Sequence, residues 1–255
     1  MSTFSLTTVV SALLLLATFS TLGRVDAQSY HPTGVRRGAY MSLYSYKVGK
    51  LYLELIENAD LYYILGNATR EQMALDFLEK WQFNALSLYN LHTILSSPTL
   101  VAALPGFMAR CRAIGIANIE AIGSKWITDY DEILDYNTNK AKSNAEMFDG
   151  MVTEIEFWAP GGKLSDLTKA LTYVRSLNIP AQTGKNFYYC TYLGWVSSSD
   201  IATIAPLIDY MWPHAYNKNP DVYYTKTEER IQDLVTAISN DSSVHVTPIF
   251  SAESS

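Results

Sequence analysis

Seven short apolar runs recur along the chain with amphipathic helical patterns between most of them, and this alternation limits the possible folds more than any other feature. The runs are VRRGAYMSLY (35 to 44), FNALSLYN (83 to 90), IANIEAIGS (116 to 124), FDGMVTEIEFW (148 to 158), FYYCTYLGW (187 to 195), LIDYMWPHAY (207 to 216) and VHVTPIF (244 to 250). Each has the length and content of a buried strand. The clearest helical patterns are TREQMALDFLEKW from Thr69, with Gln72 three residues after a capping Thr, and LSDLTKALTYVRSL from Leu164, where Ser165 or Asp166 can cap. In a third, from Thr225, Ile231, Leu234, Val235 and Ile238 share one face. Strand and helix in alternation predict a parallel sheet with crossover helices, and seven units predict an α/β fold of the (β/α)8 TIM-barrel-like kind. Eight strands complete such a barrel, yet the chain ends just after the seventh run. Either the barrel is incomplete at the C-terminus, or a strand hides in residues 51 to 66 or in IPAQ at 179 to 182.

Residues 1 to 27 stand apart from this pattern. The apolar run VVSALLLLATF, followed by a small-residue site ending Val25-Asp26-Ala27, reads as a secretory signal peptide and is short for a membrane span. The expected product is a secreted chain from Gln28, with residues 28 to 255 forming a single α/β barrel domain and no membrane span after signal removal. Losing Arg24 and Asp26 leaves the formal charge at −6, and no basic patch points to nucleic acid. Cys111 and Cys190 enter an oxidising compartment, where they either pair or remain buried thiols. Asn67-Ala68-Thr69 and Asn240-Asp241-Ser242 are glycosylation sequons that suit a secreted surface.

The fourth run carries charge where burial should forbid it. Alternation along a strand sets Gly150, Val152, Glu154 and Glu156 on one face, and Met151, Thr153, Ile155 and Phe157 on the other. The apolar set suits surrounding helices, so the first set faces the barrel axis. Charges there are costly except at the C-terminal mouth, where barrel enzymes place their chemistry. Two carboxylates at that point repel, which raises one pKa toward the range of a general acid. A structural network pairing both glutamates with Lys or Arg is the competing expectation.

FDGMVTEIEFW resembles the fourth-strand signature of glycoside hydrolase family 18, the chitinase and endo-β-N-acetylglucosaminidase family, whose pattern is D-G-x-D-x-D-x-E after an aromatic residue. Phe148, Asp149, Gly150 and Glu156 match, Glu154 stands where the family has an aspartate, and Val152 replaces the middle aspartate. GAYMS (38 to 42), FNALSLYN and AIGS (121 to 124) are similar to the first-, second- and third-strand segments. The family's sixth strand ends in Met-x-Tyr, whereas here Met211-Trp212-Pro213-His214-Ala215-Tyr216 leaves Tyr216 or His214 to replace the tyrosine. The resemblance implies Glu156 as general acid and Glu154 as the group orienting the substrate's acetamido, whose own oxygen attacks the anomeric carbon. It implies a β-linked N-acetylglucosamine oligosaccharide or polysaccharide as partner. Its alternative is a non-catalytic sugar-binding protein on the same fold.

The remaining candidates follow from position. Tyr40 on the first run, Tyr89 and Asn90 at the end of the second, and Trp212, His214 and Tyr216 on the sixth are expected to contact substrate, with Trp212 the stacking platform. Trp158 and Trp195 also sit at or just past strand ends. His92 follows Asn90 and suits a surface role better than a ligand contact, while Glu120 is expected to face the helices as a reserve carboxylate. His31, His92, His214 and His245 lack a short metal-ligand spacing, so no metal or cofactor is expected.

Overall fold

Seven parallel strands form one sheet whose spatial order follows the chain: β1 (Gly38–Ser42), β2 (Ala85–Tyr89), β3 (Asn118–Gly123), β4 (Gly150–Thr153), β5 (Tyr188–Leu193), β6 (Tyr210–Pro213) and β7 (His245–Val246). The structure, a computed structural model, describes residues 38–43, 64–214, 223–238 and 244–248, and only the backbone of 223–228. Between the strands run α1 (Ala68–Lys80), α2 (Leu91–Leu95), α3 (Pro98–Ala113), α4 (Ile127–Asp135), α5 (Leu164–Ser176), α6 (Ile179–Thr183), α7 (Ser198–Ile204) and α8 (Tyr223–Ala237).

Every strand lies within one of the seven apolar runs. IPAQ is not a strand: it forms α6, entered through left-handed Asn178 and with Pro180 in the first turn, where a missing N–H costs nothing. Residues 51 to 63 lie outside the described residues, and among the described residues no eighth strand joins β7 to β1. Two caps differ from expectation. Asn67, not Thr69, caps α1, its Oδ1 accepting from the Arg70 N–H at 3.1 Å. Lys163 precedes α5, so Ser165 and Asp166 fall in the first turn, where Asp166 complements the helix dipole instead of capping.

The sheet is curled into a TIM-barrel-like arrangement. In a flat sheet β1 and β6 would stand about 24 Å apart, at roughly 4.8 Å per strand. Instead the Tyr40 and Trp212 rings meet edge to face with centroids 6.0 Å apart. Only curling brings these strands together across an interior. The outer face then packs on helices: Met41, Leu86, Ile119, Ala121, Met151 and Met211 belong to one cluster with Leu78, Leu104, Phe107 and Leu171. The inner face makes a second cluster from Ile122, Val152, Cys190, Tyr192 and Trp212. Met151 outside and Val152 inside follow the alternation read from the sequence.

Glu120 departs from it, because Ile119 and Ala121 take the helix side and Glu120 points inward. It is fully buried, accepting from Ser87 Oγ at 2.9 Å and from the Tyr188 hydroxyl. Tyr40, Ser87, Glu120, Gly150 and Tyr188 stand in register across five strands. Gly150 is required in that row: a Cβ there would collide with the Tyr188 ring and carbonyl, so only glycine lets the ring cross to Glu120. The cysteines are separated by the same division. Cys111 sits in the outer core and Cys190 in the inner cluster, both as buried free thiols, and burial pushes the Cys111 thiol up to about 12.

At the N-terminal end of the strands one device appears twice. Asp149, ahead of β4, accepts the Ile119 N–H at 2.6 Å and is engaged by Arg112 from the last turn of α3 and by Lys185 at 2.8 Å. Asp209, ahead of β6, accepts the Tyr189 N–H at 2.7 Å and Arg175 Nη2, from the last turn of α5, at 2.8 Å. Each aspartate ties a helix end to two adjacent strands. Asp149 is the first carboxylate of the FDGMVTEIEFW run, and its work here is architectural. Removing one partner from a buried pair costs about 3–5 kcal/mol, so Asp149→Ala, in a partly buried pair, should lower the unfolding free energy measured in urea by up to that order, with a lower midpoint. Asp209→Ala, with a side chain 36% exposed, should lower it less.

Candidate functional site

The C-terminal ends of β2, β3 and β4 open together. Glu154 follows β4 directly, and its N–H still bonds the Gly123 carbonyl at 3.1 Å, which carries the β3–β4 ladder one residue past the strand. Asn90 ends β2 in a left-handed conformation that asparagine tolerates, and its Nδ2 donates to Ser42 Oγ at 3.1 Å, fixing the β2 loop against β1. Past β3, Asp129 Oδ2 accepts from the Ser124 N–H at 3.0 Å and the Ser124 hydroxyl at 2.6 Å. Ser124 Oγ accepts in turn from the Trp126 N–H at 3.2 Å. This chain of bonds holds Trp126 at the rim, 63% exposed, with the Lys125 ammonium 5.1 Å from its ring centroid.

These groups line a cleft of about 430 Å³, bordered by Tyr89, Asn90, His92, Ser124, Trp126 and Glu154 among others. The side-chain carboxylates of Glu154 and Glu156 make no hydrogen bond or ion pair with the described residues. Glu154 is solvent-exposed at the top, yet dense protein below and beside it displaces water. Desolvation first, and the Glu156 charge second, raise its pKa above the usual carboxylate range. Glu156 lies two residues further on, exposed, where its carbonyl closes a turn with the Ala159 N–H at 3.1 Å. It does not border this cleft.

From β1, Tyr40 packs against the inner cluster with a buried hydroxyl that has no hydrogen-bond partner among the described residues. Burial first, then the negative potential of Glu154, push its pKa well up and keep it a neutral donor. An unmade bond at such a hydroxyl costs about 1–3 kcal/mol.

A second cluster gathers past β5 and β6. Tyr192 Oη and His214 Nδ1 share a hydrogen bond at 2.9 Å, and Trp158 packs against both rings. Gly194 makes this possible, since any Cβ would strike the Trp158 indole. Arg230, 5% exposed, reaches in from α8, donating to Leu193 O at 2.9 Å and to the Gly194 and His214 carbonyls. Its guanidinium lies 4.7 Å from the centroid of Trp195, which is 55% exposed. Burial, with Arg230 adding to it, lowers the His214 pKa to about 4.

Of the residues singled out from sequence, Glu154, Tyr89 and Asn90 border one cleft, with His92 beside them in an ion-pair geometry to Glu132 at 3.0 Å. Tyr40, Trp212 and His214 lie across the curled interior and its β6 end. Trp212 is 3% exposed and packs inside, so the exposed indoles just past strand ends are Trp126 and Trp195, while Trp81 is exposed at the end of α1. Tyr216 lies outside the described residues. Trp126, Ser124 and Asp129 were missed, although GSKW (123 to 126) places an indole just beyond the third run. Among the described residues no group of three or more His, Cys, Asp or Glu could hold a metal ion, and no helix is long and apolar enough to cross a membrane.

No protein-family model matches the chain, and no curated protein does. Among solved structures the chain is similar to the xylanase and alpha-amylase inhibitor protein of Scadoxus multiflorus, at 13% identity and a TM-score of 0.43, over 70% of this chain and 72% of that one. It is also similar to a putative phosphonomutase of Burkholderia cenocepacia, at 9% identity and a TM-score of 0.35, over 72% and 84%. Likenesses of this strength leave the reading of the site to its own geometry.

Both titrations have a definite sign. A folded pKa raised at Glu154 means its contribution to stability is present below the unfolded carboxylate value, near 4.3, and lost as pH rises through the folded value. Glu154→Gln should therefore be more stable than wild type at pH 7, and the difference in denaturation midpoint should vanish below about pH 4. For His214 the folded pKa is lowered, so stability is lost as pH falls from about 6.5 through 4, and its ring resonances should titrate near the lower value.

Proposed function

We propose that this chain is a secreted, family-18-like barrel whose mouth binds a saccharide containing β-linked N-acetylglucosamine without hydrolysing it. The observation that carries the reading is the cleft holding a Glu154 carboxylate, unpaired among the described residues, beside Asn90, Ser124 and the exposed Trp126 indole. Sugar C–H faces stack on indoles, while hydroxyl and acetamido groups need acceptors and amides fixed in advance. The bonds that hold Ser124, Asn90 and Trp126 supply that order before any ligand arrives.

Binding is favoured over turnover by what surrounds the carboxylates. Val152, where the resemblance implies an aspartate, is fully buried with Ile122 and Cys190 in an apolar wall, and so passes no charge or proton to Glu154. Pro213 occupies the family's tyrosine position and closes β6. Hydrolysis, with Glu156 as general acid and Glu154 assisting, is supported by two observations: the carboxylates are unpaired among the described residues, and the Glu156 charge adds to desolvation in raising the Glu154 pKa. The oxidising exterior implied by residues 1 to 27 is compatible with either.

Calorimetry and product analysis with N-acetylglucosamine oligomers separate the readings. Wild type should bind and leave the oligomers intact. A charge-assisted hydrogen bond contributes about 1.5–3 kcal/mol, so Glu154→Ala should weaken binding roughly 10- to 150-fold, while Glu156→Gln changes it little. Cleavage abolished by Glu156→Gln would establish the hydrolytic reading instead, and absence of binding would refute both.

A further inference from the structure

Asn67-Ala68-Thr69 has the sequence of an N-glycosylation acceptor, and the fold presents it in the form such a modification needs. Asn67, Ala68 and Thr69 are all exposed. They stand at the mouth end of the molecule, because the preceding Ile64 N–H bonds the Leu43 carbonyl at 3.0 Å, one residue past the end of β1. The two polar atoms of the Asn67 side chain are divided in their use. Oδ1 caps α1 through the Arg70 N–H at 3.1 Å, whereas Nδ2 makes no hydrogen bond with the described residues. The Thr69 hydroxyl likewise makes no hydrogen bond with the described residues, so none of the contacts among them depends on the atoms the modification would use.

We propose that Asn67 carries an N-linked glycan, an inference that rests on the secretory reading of residues 1 to 27 but not on saccharide binding at the cleft. In the transfer, Nδ2 forms a bond to the anomeric carbon of an N-acetylglucosamine at the reducing end of a lipid-pyrophosphate-linked oligosaccharide. The glycosyl–phosphate bond breaks, the lipid pyrophosphate leaves, and Nδ2 gives up one proton. The amide carbonyl is untouched, so Oδ1 continues to cap the helix after modification. The attached sugar projects into solvent from an exposed turn and displaces no buried side chain. Asn144-Ala145-Glu146 is a natural control: it repeats the exposed Asn-Ala step without the hydroxyl two residues on.

The test is expression of the full chain, with its own residues 1 to 27, in a eukaryotic cell, followed by mass spectrometry of the peptides containing Asn67 and Asn144. Material in the medium should carry glycan mass at Asn67 and none at Asn144, and amidase release in heavy-oxygen water should convert Asn67 to labelled Asp. Two variants remove the mass by different routes. Thr69→Ala deletes the acceptor hydroxyl and keeps the cap, and Asn67→Asp keeps a capping oxygen while removing the amide. Both should be secreted and unfold at denaturant midpoints close to that of enzymatically deglycosylated wild type. Secreted chain with bare Asn67 would overturn the site and spare the secretory reading. Chain retained in the cytosol without glycan would overturn both.

Discussion

Side chains on the inner face of a curled parallel sheet have no helix to pack on and must fill the interior from the strands alone. That constraint governs the molecule. It explains why the row at Glu120 alternates large and small, with Gly150 yielding its volume to the Tyr188 ring. It explains why Val152, Cys190, Ile122 and Trp212 form an apolar plug above that row. The same crowding supplies partners for the buried Glu120 carboxylate, from Ser87 and Tyr188.

The plug also sets the chemistry of the mouth. Because the layer beneath is apolar and dense, Glu154 loses water from below while remaining open above, and its proton affinity rises. His214 responds to the same crowding in the opposite direction, as a base must, and Arg230 strengthens the effect while tying down the carbonyls past β5 and β6. The bottom of the barrel is held by Arg112 with Asp149 and Arg175 with Asp209. Charge at that end serves architecture.

Much of this was legible in advance. The seven runs were visible because strands buried on both faces read as apolar, and the inward placing of Val152 and Glu154 followed from a period of two. Glu120 was misplaced because its small neighbours Ala121 and Gly123 resemble an interior-facing set, while the ring that needs it, Tyr188, lies 68 residues away. The Asn67 cap was missed because Thr69 satisfies the same local pattern and only backbone angles separate the two. Trp212 was expected to be a stacking platform and is buried instead, because burial depends on what the opposite wall contributes, here Tyr40.

The sequence by itself determined the parallel order, the alternation that sends Met151 outward and Val152 inward, and the pair of carboxylates after β4. These are local properties, fixed by period, cap and propensity within a few residues. Tertiary structure alone decided which carboxylate faces a cleft, which indole meets solvent, and that Cys111 and Cys190 stand on opposite sides of the sheet. Those outcomes depend on contacts between segments far apart in the chain, and the curl of the sheet, which no single segment encodes, determines which segments meet.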